Sequence, residues 1–262
     1  MCASRPRTGR YMGAQALGFD VGGSSVKAGL VDLDAAQLSG ELLSAPTPQP
    51  ATPEGVMTAI GGLIARLPPA TGRIGVAVPS VVKDGIIRTA ANIDASWIGV
   101  DGRALVRQAL RREAEVLNDA DAAGLAEMRW GAGRGERGAV IMLTLGTGIG
   151  SALFIDGRMF PNTELGHLEL RGMDAEKWAS AHVRTELKLD WPAWTVRLNE
   201  YLARINALFW PDLLILGGAV TEHFDEWAPL LRCEPRVCRA HFGGQAGVVG
   251  AALAAAALAT AA

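Results

Sequence analysis

The sequence predicts an α/β protein built from a duplicated unit, with two lobes and a cleft between them. Two segments, FDVGGSSVKAGLVD at 19–32 and LTLGTGIGSALFID at 143–156, each contain an apolar strand, a glycine turn and a second apolar strand. Each copy continues into a short third segment, GELLSA or RMFP, and then into helix-rich sequence. The chain of 262 residues, 49% of them hydrophobic, is long enough for two packed lobes. Two accidental glycine hairpins are the alternative, because short glycine motifs recur by chance.

The segments after each copy predict the remaining elements. TPEGVMTAIGGLIARL predicts a helix capped by Thr52 with Pro53 in its first turn, and RIGVAVPS predicts a buried strand. DGRALVRQALRREAEVLND predicts a helix followed by a short strand. After the second copy we expect helices over about 174–188 and 192–209, and PDLLILGGAV predicts a strand, a Gly-Gly turn and a helix.

The lobes are expected to divide the chain at the middle, with the end returning to the first lobe. Residues 1–15 are predicted to be a flexible tail, because they are polar and carry no apolar leader core. Residues 16–118 form the small lobe and 119–244 the large lobe. The alanine-rich stretch at about 245–262 is predicted to be a helix of the small lobe, since it falls short of the ~20 strongly apolar residues that cross a bilayer.

Charge and cysteine content restrict the class of partner and the compartment. The formal net charge of −2 gives no broad basic surface for nucleic acid. Three sparse cysteines predict a reducing, cytoplasmic setting without structural disulfides. Cys233, Cys238 and His241 are a weak metal motif, because a second ligand pair is missing, and a surface turn with a strand edge is the favoured interpretation.

The two glycine turns predict phosphate binding. A turn with few side chains lets backbone N–H groups approach a multiply charged anion, and two such loops on opposite lobes would hold a phosphate chain from both sides. Neither loop fits the P-loop pattern or a strand–GxGxxG–helix context.

Two polar segments are candidates for chemistry and for substrate binding. Asn118 and Asp119 in VLNDADAAGLAE lie where a strand ends and a helix begins, so one carboxylate can act as a base, although helix capping is the alternative. Glu164 and His167 in NTELGHLEL, with Glu176 further on, suit a polyhydroxylated ligand, although a solvated turn would look similar.

Together these motifs resemble the ROK family of sugar kinases, which has the duplicated ribonuclease-H-like fold of the actin/hexokinase type. The segments that match it are DVGG from Asp20, LGTGIG from Leu145, NDA from Asn118, ELGH from Glu164 and LGG from Leu216. Stretches such as PTPQPATPE and TAANIDASW most resemble the members that phosphorylate glucose with inorganic polyphosphate.

The resemblance implies a role for each matching residue. Asp119 would be the general base that takes the proton from the sugar 6-hydroxyl. Asp20 would lie near Mg²⁺, and a homodimer is implied. The sugar would be held by Asn92, Asn118, Asp119, Glu164, His167 and Glu176. The phosphate donor would be held by Asp20, Gly22, Gly23, Ser24, Lys27, Gly146, Thr147, Gly148, Gly217 and Gly218.

The sequence departs from the family pattern in three places. Ordinary members insert a cysteine-rich zinc segment after the sugar-binding His, but here eight residues without Cys separate His167 from Glu176, so no zinc is expected. Ser24-Ser25 replaces the usual Thr-Gly, and Ser80 replaces a usual Gly. Ser25 would be strained if its position required a positive φ.

Three functions remain open at this stage. The first is transfer from polyphosphate to glucose, with Lys27, Arg134 and Arg137 as candidates for a cationic track along the donor. The second is an ATP-dependent glucokinase or glucomannokinase. The third is a sugar-responsive repressor, which we disfavour because about 16 residues precede the first strand, too few for a helix-turn-helix.

Overall fold

The structure is a computed structural model that describes residues 15–70 and 73–257. Its first part contains β1 (Gln15–Val21), β2 (Ser25–Asp32), β3 (Gln37–Leu38), β4 (Leu43–Pro46), α1 (Pro53–Ile64), β5 (Ile74–Val78), β6 (Val82–Lys83), β7 (Ile86–Ile87), α2 (Gly102–Leu110) and β8 (Ala114–Asn118). Its second part contains α3 (Asp119–Trp130), β9 (Ala139–Leu145), β10 (Ile149–Ile155), β11 (Arg158–Phe160), β12 (Glu169–Leu170), β13 (Met173–Asp174), α4 (Glu176–Ala179), α5 (Ala181–Glu186), α6 (Trp191–Phe209), β14 (Leu213–Gly217), α7 (Phe224–Trp227), β15 (Arg236–Arg239) and α8 (Ala246–Ala257).

Two sheets repeat one strand arrangement. The first has the order β3-β2-β1-β5-β8, with β4 also paired to β2, and the second has the order β11-β10-β9-β14-β15. In each sheet an antiparallel hairpin, β1–β2 or β9–β10, continues into two parallel strands. The predicted duplication and both glycine hairpins are therefore confirmed.

Two helices join the sheets. Helix α8 packs against β1 and β5, helix α3 packs against β10, and the two helices pack against each other. The contact with β5 is so close that a Cβ at Gly75 would collide with the carbonyl oxygen of Ala251. Each sheet also covers its own apolar core, which includes Phe19 and Ile60 in the first and Trp194 and Tyr201 in the second. Helix α8 therefore joins the first sheet to α3, the helix that begins at Asp119.

The local predictions are confirmed at α1 and need correction after β13. Thr52 caps α1 by accepting a hydrogen bond from the Gly55 N–H at 3.2 Å, with Pro53 as the first helical residue. The helix expected over 174–188 is instead two short helices, because Ser180 is extended and its side chain caps α5. After Gly218 the chain forms a 3₁₀ turn over Ala219–His223 before the short α7.

The chain ends limit what is described. The predicted tail covers residues 1–15. Residues 1–14 lie outside the described range, and Gln15 already belongs to β1. The terminal helix is described over Ala246–Ala257. Within the described ranges, no helix combines the length and apolar character needed to cross a membrane. The division into lobes at residue 118 stays a prediction.

Candidate active site

The carboxyl ends of the parallel strands meet at one cavity. In open α/β sheets, ligands bind where the strands end, because the chain leaves the sheet there in loops that can turn toward a ligand. Here β1, β8 and β9 lead into Gly22, Asp119 and Gly146, and β14 leads into Gly218. These residues all line a cavity of about 450 Å³.

The cavity collects most of the residues predicted from the sequence. Of those, it is lined by Gly22, Gly23, Asn92, Asn118, Asp119, Gly146, Thr147, Gly148, Glu164, His167, Glu176 and Gly218. The other lining residues are Pro79, Ser80, Thr89, Ala90, Ala91, Thr144, Ile149, Gly150, Ser151 and Thr163. The glycine loops predicted to bind the phosphate donor and the polar residues predicted to bind the sugar therefore line the same cavity.

Glycine is required at two points of the donor loops. Gly148 faces Glu176, so that a Cβ at Gly148 would overlap the Glu176 carboxylate oxygen Oε2. Gly218 has φ +93° and packs against the Leu145 backbone, where a Cβ would also collide. The two glycines are therefore explained by close packing against neighbouring protein atoms, and phosphate binding by the loops stays a prediction.

The sequence left open whether Asn118 and Asp119 cap helix α3 or face the ligand, and in the structure the two residues differ. Asn118 is the cap of α3, and its Oδ1 accepts from the N–H groups of Ala120 at 2.9 Å and Asp121 at 3.0 Å. Its Nδ2 donates to the Ser80 carbonyl at 3.2 Å, which leaves at most one hydrogen for a sugar hydroxyl. The capping is thus done by Asn118, and the Asp119 carboxylate faces the cavity.

The surroundings of Asp119 favour a proton acceptor. Burial, the nearby Asp20 carboxylate and, to a smaller extent, Glu164 raise the pKa of Asp119 to about 7, while the N–H of Ala120 lowers it. A base works best when its pKa lies near the working pH. Asp119 therefore has the proton affinity that the predicted role requires.

Asp20 and Lys27 form a charged pair behind the first glycine turn. They are direct partners across the β1–β2 hairpin. Burial raises the pKa of Asp20, and Lys27 opposes that rise. The Lys27 ammonium donates to the carbonyl of Gly244 at 3.2 Å, just before α8. The pair therefore lies beside the cavity without lining it.

The sugar cluster is connected by charge and by backbone contacts. His167 Nε2 lies 3.6 Å from Glu164 Oε2, and His167 Nδ1 lies 3.8 Å from Asp174 Oδ2. Partial burial and the neighbouring Glu176 raise the pKa of Glu164, while His167 lowers it. Glu176 Oε2 accepts from the Ile149 N–H at 3.2 Å. The carboxylates are thus held in place with oxygen atoms available to hydroxyl groups.

Asn92 lines the cavity and has an unusual backbone conformation. It has φ +59°, a left-handed conformation that Asn adopts more readily than most residues. A Cβ at Gly23 would lie 3.0 Å from the Asn92 Cβ, so the first glycine turn and the Asn92 segment are in close contact. The predicted sugar residue Asn92 is therefore next to the predicted donor loop.

Some predicted donor residues do not reach the cavity. Asp20, Ser24, Lys27 and Gly217 are absent from its lining among the described residues. Arg134 and Arg137, the candidates for a cationic track, precede β9 at Ala139, whereas the cavity lies beyond its other end at Leu145, so they lie away from the cavity and their role along a long donor stays a prediction. That strand is seven residues long, about 20 Å.

The serine departures are accommodated without strain. Ser24, Ser25 and Ser80 are absent from the described residues with positive φ. Ser25 is the first residue of β2, and its carbonyl accepts from the Gly22 N–H at 2.9 Å. The Ser80 hydroxyl is buried beside the cavity without a protein partner. The expected cost of losing glycine at Ser25 therefore does not arise.

Several site residues were missed by the sequence analysis. Ser151 and Thr163 line the cavity and are joined by their hydroxyl groups at 3.0 Å. Asp121 is 2% exposed, and burial raises its pKa to about 6, while the Asn162 N–H lowers it. The N–H of Asn162, which has a left-handed φ of +59°, donates to Asp121 Oδ2 at 2.8 Å, a contact between distant segments that no local sequence signal indicates.

Two groups of residues fit cations to different degrees. Asp20 and Asp119 offer the hard carboxylate oxygens that Mg²⁺ prefers, and a cation there would offset the burial and like charge that raise the pKa of Asp119. Ligand atoms of His167, Asp174 and Glu176 lie within 4.8 Å of one another, but Asp174 already pairs with Lys177 at 2.8 Å. Cys233, Cys238 and His241 form no such group among the described residues, and β15 is the expected sheet edge.

Comparison with known proteins identifies relatives over nearly the whole chain. The model of the ROK family matches residues 16–180. Polyphosphate glucokinase of Mycobacterium tuberculosis (strain CDC 1551 / Oshkosh) is 44% identical over 259 residues, 97% of this chain and 97% of the relative. Inorganic polyphosphate/ATP-glucomannokinase from Arthrobacter sp. strain KM matches in structure with a TM-score of 0.90 at 45% identity, over 94% of this chain and 99% of that chain.

A more distant structure agrees. A ROK family glucokinase from Streptomyces griseus, in complex with glucose and AMPPNP, matches with a TM-score of 0.77 at 25% identity, over 93% of this chain and 100% of that chain. The predicted duplicated ribonuclease-H-like fold of the actin/hexokinase type is thereby confirmed. With the family model matching more than half of its length and a relative aligned almost end to end, the chain belongs to the ROK family.

Proposed function

We propose that this protein is a kinase that transfers the terminal phosphoryl group of inorganic polyphosphate to the 6-hydroxyl of glucose. The observation that carries the proposal is the position of Asp119, in one cavity between two glycine loops and a cluster of sugar-type ligands. The 44% identity to polyphosphate glucokinases supports the choice of donor and acceptor.

The reaction needs one base and an aligned nucleophile. The glucose O6 forms a bond to the terminal phosphorus as the bond from that phosphorus to the bridging oxygen breaks. Asp119 accepts the O6 proton, and the leaving chain, one phosphate shorter, keeps the bridging oxygen and its negative charge. Since phosphoryl transfer depends mainly on positioning and charge stabilisation, a single carboxylate is sufficient proton chemistry.

The sugar is held opposite the donor loops. Glu164 and Glu176 accept hydrogen bonds from sugar hydroxyls, and His167 is held between Glu164 and Asp174. Asn92, Asn118 and Asp119 complete the set on the other wall. A site built to pair each hydroxyl rejects a sugar that leaves a buried partner unpaired.

The donor is held by backbone N–H groups of the glycine loops around Gly23, Thr147 and Gly218, since the N–H groups of Gly22 and Gly146 already donate to the carbonyls of Ser25 and Gly148. Asp20, beside Asp119, is the proposed ligand for Mg²⁺. When bound, Mg²⁺ neutralises the charge of the phosphoryl oxygens. Lys27 lowers the pKa of Asp20 against the effect of burial and so favours the ionised carboxylate that would bind Mg²⁺, which places the role of Lys27 on the donor side of the site.

A second candidate function is a kinase that also uses ATP or phosphorylates mannose. The relative from Arthrobacter, at 45% identity, is a polyphosphate/ATP-glucomannokinase, which favours this alternative. A cytoplasmic location and a homodimer stay predictions.

Initial rates with each combination of donor and sugar test the function. Purified protein is assayed with polyphosphate or ATP against glucose or mannose, at low salt and over several polyphosphate chain lengths. We expect polyphosphate with glucose to give the highest kcat/KM. An equal or higher value with ATP at every chain length would contradict the donor assignment and leave an ATP-dependent kinase.

A further inference from the structure

Asn162 joins two walls of the cavity that are far apart in sequence. Its side-chain Oδ1 accepts from the Val82 N–H at 2.8 Å, and its Nδ2 donates to the Val82 carbonyl at 2.9 Å. The side-chain amide therefore pairs with both backbone groups of one residue, across a separation of 80 residues. Val82 is buried, with 9% of its surface accessible.

On the Val82 side, the contact joins Asn162 to the segment that forms the cavity wall containing Asn92. Strands β6 and β7 form a hairpin that leads directly into residues 89–92, which line the cavity. The N–H of Val81 donates to the Thr89 hydroxyl at 2.8 Å, and the N–H of Arg88 donates to the Val81 carbonyl at 2.8 Å. The hairpin and the wall therefore move as one unit.

On its own side, Asn162 precedes the opposite wall and is fixed to the catalytic helix. Thr163 and Glu164 follow it in sequence and line the cavity. Its backbone N–H donates to Asp121 Oδ2 at 2.8 Å, and Asp121 lies in the first turn of α3, two residues after Asp119. Asn162 thus connects the cavity wall that contains Asn92 with the wall that contains Glu164 and with helix α3, which begins at Asp119.

We propose that Asn162 is a positioning residue that holds the Asn92 wall against the wall of Glu164 and Asp119, so that the sugar site is assembled before glucose binds. This inference rests on the proposed function. Without the side chain, the assembled arrangement is less populated, and glucose binding must drive its formation. The affinity for glucose then falls, while the complex, once formed, reacts at its former rate.

A glycine substitution removes the side chain without straining the backbone. Asn162 has φ +59°, which glycine adopts freely, so Asn162→Gly isolates the loss of the two hydrogen bonds. Asn199→Ala is the matched control, since Asn199 also makes a pair of contacts with backbone. Its Nδ2 donates to the Leu230 carbonyl at 3.0 Å, and its Oδ1 accepts from the Arg232 N–H at 2.8 Å, away from the cavity lining.

The measurements are glucose binding by calorimetry without donor, kcat and KM for glucose, and the melting temperature. Two neutral hydrogen bonds correspond to about tenfold or more in an equilibrium constant. We therefore expect Asn162→Gly to raise the Kd and KM for glucose about tenfold, with kcat within about threefold of wild type. Asn199→Ala should lower the melting temperature less, because its contacts are exposed and Ala favours the helix, and it should leave Kd and KM unchanged.

Two outcomes overturn the inference in different ways. Wild-type glucose affinity in Asn162→Gly, or an equal loss in Asn199→Ala, would show that the Asn162 contacts only stabilise the fold. If the wild-type protein itself neither binds nor phosphorylates glucose, the proposed function fails, and this inference fails with it. Folded variants are recognised by a single cooperative melting transition, so a loss of binding is separated from a loss of fold.

Discussion

Replacing Asp119 by Asn tests the centre of the proposed mechanism, because it removes one ionisable group and almost no volume. The amide cannot accept the O6 proton as a carboxylate can, while its size and its position in the first turn of α3 are retained. Removing a general base lowers the rate by typically 10²–10⁴-fold. We therefore expect kcat to fall by ~10²–10⁴ and the Kd for glucose to change little.

The raised pKa of Asp119 also predicts an effect on stability, whose sign follows from proton binding. The pKa is about 7 in the folded protein, against 3.8 for an unperturbed Asp, so between these values the folded state holds a proton that the unfolded state has lost. The free energy of unfolding therefore falls as pH rises through this window and stays low above pH 7. The gap corresponds to at most about 4 kcal/mol, at 1.36 kcal/mol per pH unit.

The Asp119→Asn variant has no ionisable group at this position, so its stability and that of the wild type should diverge with pH. We expect the variant to be more stable than wild type at pH 8 by up to about 4 kcal/mol and nearly equal to it at pH 4. Urea unfolding at both pH values measures this difference. In the wild type, kcat/KM should rise with pH around a midpoint near 7, because the base must be deprotonated. More than a tenth of wild-type turnover in Asp119→Asn, or a stability difference that is independent of pH, would refute the reasoning.

Three further experiments test the two ends of the cavity and its ions. Glu164→Ala should raise the KM for glucose by about tenfold or more, because a sugar hydroxyl loses its buried partner, and an unchanged KM would return the cluster to a charged turn. Lys27→Ala should lower kcat/KM for polyphosphate and leave glucose binding unchanged. Arg137→Ala, at the far end of β9, should change neither kcat/KM nor glucose binding. If both variants lowered kcat/KM for polyphosphate equally, the donor-side role of Lys27 would be contradicted. Removal of Mg²⁺ with EDTA should abolish activity, reversibly on Mg²⁺ addition, while a zinc-selective chelator should have no effect. Loss of activity with the zinc-selective chelator, restored by Zn²⁺ and not by Mg²⁺, would point to the group of His167, Asp174 and Glu176.

Local sequence signals predicted those parts of the fold whose physical cause is local. The turns after Val21 and Leu145 were recognisable because apolar runs on both sides of a glycine turn are typical of hairpins. The internal repeat predicted that the second segment would form the same hairpin as the first, and the two sheets share one strand arrangement. Asn118 as a helix cap follows the same logic, since a side-chain oxygen there satisfies the first free N–H groups.

The errors arose where position depends on contacts across the chain. For Arg134 and Arg137, nearness in sequence to a strand of the site does not say at which end of that strand the cavity lies, and their role as a track stays a prediction. The predicted helix over 174–188 breaks at Ser180, because the N–H of His182 donates to the Gly146 carbonyl at 3.0 Å and turns α5 toward the glycine loop. Asn162 meets its partner only after 80 residues, so its pattern carried no signal.

The cavity itself explains why the donor is the part of the function that sequence patterns identify least directly. Its lining among the described residues includes neither Lys nor Arg, and Lys27 is held behind the first glycine turn by Asp20 and Gly244. In the proposed function the phosphates nearest to Asp119 are bound by uncharged groups of the glycine loops and by a divalent cation, and these contacts would be the same for ATP and polyphosphate. Discrimination between the two donors then depends on what the remainder of the donor contacts outside the cavity, which for polyphosphate is further charge and for ATP is a nucleoside. For this reason the variation of kcat/KM with polyphosphate chain length reports on surface contacts, while the effect of Asp119→Asn should be equal for both donors.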